Sequence, residues 1–80
     1  LFVLNSRFFL ERSEALVGRL EREGIVEPAA RIKVLYHWLF QRDPTEREFA
    51  KLINFVKDSP DAWQLVAQTL LASNEFYFCN

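Results

Sequence analysis

Three prolines, Pro28, Pro44 and Pro60, limit this chain more than any other feature. A proline in a helix interior removes a hydrogen bond and pushes its ring into the preceding turn, so each marks a boundary. Pro28 suits the first position of a helix, where the missing N–H would have had no partner. Asp43-Pro44 closes the helix before it, because the residue preceding proline is driven toward extended geometry. Ser59-Pro60 reads as a cap followed by another proline start.

The segments between carry apolar residues at helical spacing. Residues 1–4 read as the last turn of a helix, with Asn5 and Ser6 offering a new N-cap. A first helix is expected from about Arg7 to Glu23, with Phe9, Leu16 and Leu20 on one stripe that Leu10 and Val17 widen. Gly24 fits the left-handed position beyond it and Ile25 can reach Leu20, the pattern of a Schellman cap. A second helix is expected from Pro28 to about Arg42. Its Ile32, Val34, Leu35, Tyr36, Trp38, Leu39 and Phe40 leave only Lys33, His37 and Gln41 as a polar strip, so it should be central. Thr45-Glu46-Arg47-Glu48 is a capping box opening a third helix to about Asp58, with Phe49, Leu52, Ile53 and Val56 inward. A fourth carries Trp63, Val66, Ala67, Leu70 and Leu71 and is expected to end near Ser73 or Asn74, leaving Phe76-Tyr77-Phe78 as a short extended tail. Short connections then imply an all-α domain over residues 1–80, a compact array of four short antiparallel or orthogonal helices.

Composition narrows the function. Eight Phe, two Trp and two Tyr can fill a small core without metals or disulfides. The net charge of −1, with acids and bases interspersed, offers no basic face to phosphates, so nucleic acid is not an expected partner. No apolar run approaches the roughly 18 residues that span a membrane. Cys79 is the single cysteine, so no disulfide can form within the chain. The chain starts at Leu, holds no Met and is apolar at both ends; it is expected to be a piece of a longer protein.

Several stretches together resemble a known family. They are Asn5-Ser6 followed by aromatics, Arg31-Ile32, Leu35-Tyr36, Phe40-Gln41-Arg42-Asp43-Pro44-Thr45 with Glu48, Trp63, and Leu70-Leu71-Ala72-Ser73-Asn74-Glu75-Phe76. In this order they resemble the C-terminal end of the domain-of-unknown-function family 1553, large proteins abundant in planctomycetes. The resemblance implies a helical end piece of a long exported or periplasmic protein, often joined to a cytochrome c-like segment. It implies no catalytic residue. Haem is not expected as a cofactor, because the Cys-x-x-Cys-His attachment motif is absent.

Among individual residues, Arg42, Glu48, Glu75 and Phe76 are the candidates for a structural or interaction role. Arg42 at a helix end can neutralise either Glu75 or Glu48 with bidentate hydrogen bonds. His37 lacks an evident nucleophile or ligand partner and is expected half-exposed on its polar strip. Asp43, Glu46 and Glu48 cluster within one turn, but Pro44 and the lack of a glycine argue against a calcium loop; capping and the helix dipole account for them. A helix-turn-helix reading of the second and third helices fails on the mixed charge of the third. Phe8, Phe55, Tyr77 and Phe78 lie off the main stripes, as core filling or as contact surface. The leading expectation is a non-catalytic module, without metal or cofactor, that packs on its own polypeptide or on a protein partner. The alternative is an accessory part of a carbohydrate-related or redox assembly whose chemistry lies upstream.

Overall fold

A computed structural model describes the backbone of residues 6–78 and the side chains of residues 7–59 and 61–74. Four helices follow in order: α1 (Ser6–Arg22), α2 (Pro28–Phe40), α3 (Glu46–Asp58) and α4 (Trp63–Phe78), with a one-turn 3-10 helix, Pro60–Ala62, ahead of α4. No strand occurs among the described residues. The all-α expectation holds, and the chain fills a volume of 31 × 25 × 23 Å. The expected turn at residues 1–4 and the cap at Asn5 lie outside the described residues, as does the side chain of Ser6.

Local chemistry sets most boundaries. Gly24 ends α1 with φ +72°. Its N–H donates to the Glu21 carbonyl at 3.1 Å and the Ile25 N–H to the Leu20 carbonyl at 2.9 Å, the two bonds of a Schellman cap. Pro28 opens α2. The end of α2 differs from expectation: it stops at Phe40, not Arg42, because Gln41 turns left-handed with φ 55° and ψ 38°. The Thr45 hydroxyl and the Glu48 side chain form both halves of the capping box on α3. Ser59 does not act as a side-chain cap; its carbonyl instead accepts from the Ala62 N–H at 2.9 Å and closes the 3-10 turn. At the far end α4 continues through Phe78, where an extended tail was expected. No glycine or proline follows Pro60, and an established helix extends at one hydrogen bond per residue, so a single Asn does not stop it.

α2 packs on both α3 and α4, and α1 packs on α4. Leu20, Ile32, Leu35 and Leu71 are fully buried, joined by Tyr36, Leu39, Val56, Val66 and Leu70. α2 thus shares the middle of the array with α4, which packs on both α1 and α2, and its Lys33 and His37 face solvent. On α1 the expected stripe of Phe9, Leu16 and Leu20 packs on the core, but Leu10 does not widen it. Leu10 is 42% exposed, and the fully buried position between Phe9 and Leu16 is Ser13. Its hydroxyl donates to the Leu10 carbonyl at 2.9 Å and accepts from the Gln64 amide of α4. Arg31 is buried as well: its Nε donates to the Ile25 carbonyl at 2.6 Å, and its guanidinium lies 5.3 Å from the Trp63 ring centroid. Arg19 of α1 lies 4.1 Å over Trp38 of α2.

The two glycines should respond to alanine with opposite signs. A Cβ at Gly18 meets nothing nearer than the flexible Arg22 guanidinium at 3.5 Å, so Gly18→Ala should stabilise by about 0.5–1 kcal/mol. Gly24→Ala should destabilise by about 1 kcal/mol because of its positive φ. Urea midpoints of the two variants check this.

Candidate functional site

The end of α2, the first turn of α3 and the later part of α4 surround a cleft of about 540 Å³. Its apolar part is Tyr36, Leu39, Phe40 and Leu70; Gln41, Arg42, Glu48, Ser73 and Asn74 supply the polar part. The bend at Gln41 creates it. By leaving helical geometry one residue after Phe40, the chain releases Arg42 to turn toward α3. Gln41 is the one non-glycine residue at positive φ among those described, and its amide is held by the His37 carbonyl at 3.2 Å.

Arg42 pairs with Glu48, as one of its two expected partners. The contact is bidentate, Nη1 to Oε1 at 3.0 Å and Nη2 to Oε2 at 3.1 Å, and Nη1 also donates to the Asp43 carbonyl at 2.9 Å. Glu48 Oε1 further accepts the Thr45 N–H at 2.8 Å, so a single carboxylate closes the capping box and anchors the arginine. The guanidinium sits 5.4 Å from the Tyr36 ring centroid and 5.6 Å from that of Phe40, whose rings are 5.2 Å apart. The Arg42 hydrogen bonds, and after them the Thr45 N–H, hold the Glu48 carboxyl below its usual range. Burial, then the Glu48 charge, pushes the Tyr36 phenol up, against a smaller opposing pull from Arg42.

The remaining candidates fall elsewhere. The side chains of Glu75, Phe76, Tyr77 and Phe78 and all of Cys79 lie outside the described residues. His37 Nε2 lies 2.6 Å from Asp43 Oδ1 on the exposed surface. Phe8 and Phe55 are 43% and 42% exposed; Phe8 packs edge-on against Phe9 and under Arg12. Among the described residues no group of three or more His, Cys, Asp or Glu could hold a metal ion, and no helix is long and apolar enough to cross a membrane. Sequence reasoning missed Gln41, Tyr36, Ser73 and Asn74 as cleft residues. Tyr36 and Phe40, one turn apart and just ahead of Arg42, carried the available signal, because residues four apart share a helix face.

Comparison with protein-family models, curated proteins and solved structures finds no match to this chain.

Two outcomes follow from this geometry. Gln41→Gly should stabilise the fold by about 0.5–1 kcal/mol by relieving the left-handed backbone, measured by urea denaturation. Because the folded state depresses the Glu48 pKa, its stabilisation is complete above the ordinary value of 4.5 and is lost as pH falls through the lower folded value. Thermal melts should therefore drop more steeply on acidification for the native chain than for Glu48→Gln. Added salt should shrink the difference, since the pair is partly exposed.

Proposed function

We propose that this chain is a helical module that acts through protein contact, with other parts of a longer polypeptide or with a separate protein, and supplies no catalytic group of its own. The observation that carries this reading is the make-up of the cleft. An apolar floor is ringed by polar side chains, as in protein interfaces, and its arginine and tyrosine are the residue types that anchor them. The charged groups are also committed to one another. The Glu48 carboxylate accepts from Arg42 and from the Thr45 N–H, an arrangement suited to holding shape rather than to shuttling protons. The resemblance to the family named above supports placement at the end of a long exported protein.

A photo-crosslinking amino acid tests the reading in cells that make the protein in its natural context. Placed at Ser73 on the cleft, it should give adducts with another protein or a distant segment of the same polypeptide; placed at exposed Lys57, it should not. Equal adducts at both positions, or none at Ser73, would remove the cleft as the contact site.

A further inference from the structure

The cleft offers hydrogen-bond donors that its own residues leave free. Tyr36 is only 5% exposed, yet among the described residues its hydroxyl has no hydrogen-bond partner. The oxygen is not sealed off, so it opens on the cleft that Tyr36 lines. The phenol keeps its proton, because burial and the neighbouring Glu48 charge both resist ionisation. Arg42 commits Nη1 to Glu48 and Asp43 and one N–H of Nη2 to Glu48, so among the described residues its Nε–H and a second Nη2–H take no partner.

Charge and shape narrow what these donors can receive. Arg42 and Glu48 cancel, so the cleft holds no net charge for an anion, and an incoming carboxylate would meet Glu48. A cation would have to displace a bidentate arginine from that carboxylate. A sugar ring would need an open aromatic face, and the guanidinium lies over both Tyr36 and Phe40. What fits is an uncharged body with apolar groups and a strong neutral acceptor, in a space of about 540 Å³. A peptide carbonyl flanked by aliphatic side chains has that chemistry.

We propose that the cleft binds an uncharged apolar peptide segment of a protein partner, which places a main-chain carbonyl on the Tyr36 hydroxyl and the free Arg42 N–H groups and its side chains against Leu39, Phe40 and Leu70. The proposal rests on the protein-contact reading above and adds the partner's chemistry. Titration of the isotope-labelled chain with N-acetyl-Ala-Leu-Leu-Ala-amide, followed by amide NMR, tests it. The capped peptide should shift the amides of Gln41, Arg42, Leu70 and Ser73. Tyr36→Phe, which removes a hydroxyl the fold does not use, should weaken binding about tenfold with the rest of the spectrum unchanged. No shift up to about 10 mM peptide, unaltered affinity in Tyr36→Phe, or tighter binding of the free-carboxylate peptide or of methyl glucoside would each overturn the proposal. Crosslinks at Ser73 without peptide binding would remove this inference alone; absent crosslinks would remove the cleft as the contact site on which it rests.

Discussion

The buried guanidinium of Arg31 decides how three parts of the chain meet. Its Nε takes the carbonyl of Ile25 in the α1–α2 connection, its plane approaches Trp63 at the start of α4, and its own backbone lies in the first turn of α2. No carboxylate partners it among the described residues. A charge drawn partly out of water is costly unless hydrogen bonds and polarisable surface replace the lost solvent; here one short carbonyl contact at Nε and an indole face do so, and among the described residues no buried N–H is left unsatisfied. Once that corner is set, the entry of α2 into the core is fixed, and with it the burial of Ile32, Leu35, Tyr36 and Leu39.

Much of the fold was legible because it is punctuated by local rules. Gly24 with Ile25, Pro28, and the Thr45–Glu48 box each satisfy orphan backbone groups from residues within one turn, so spacing alone reveals them. The features that escaped are those decided across the structure. Ser13 occupies the inner stripe of α1 because Gln64 of α4 stands opposite it, which no reading of α1 alone could find. Gln41 adopts a conformation that favours glycine, and its side chain announces nothing of the kind. The reach of α4 to Phe78 is hidden in the sequence because Asn74 resembles a stop, while a weak helix former inside an established helix is carried along by its neighbours.

The candidate site shows the same division. Arg42 and Glu48 were readable together because the capping box pins Glu48 to the α3 entrance while the turn returns Arg42 to it. Tyr36 was readable only as a core residue. Its second character, a hydroxyl without a partner among the described residues at the edge of that core, depends on what α4 brings to the far wall. An aromatic side chain of this kind serves packing and recognition at once, which is why periodicity identifies the ring and says nothing of its polar tip.

The polar contact between Ser13 and Gln64 has a consequence for alternative arrangements of the same helices. Leucines and valines slide past one another with little penalty, so two helices matched only by apolar side chains can settle in neighbouring alignments a turn apart. A buried hydroxyl matched to one amide on the facing helix cannot. Moving α1 by one turn along α4 would set Gln64 against Phe9 or Leu16 and forfeit its bond to the Ser13 hydroxyl, at a cost of about 0.5–1.5 kcal/mol. That is a large share of the stability of so small a domain. One serine in an otherwise greasy stripe thus acts as an index mark, separating a single alignment from near-equivalents that hydrophobicity alone would leave almost equally populated.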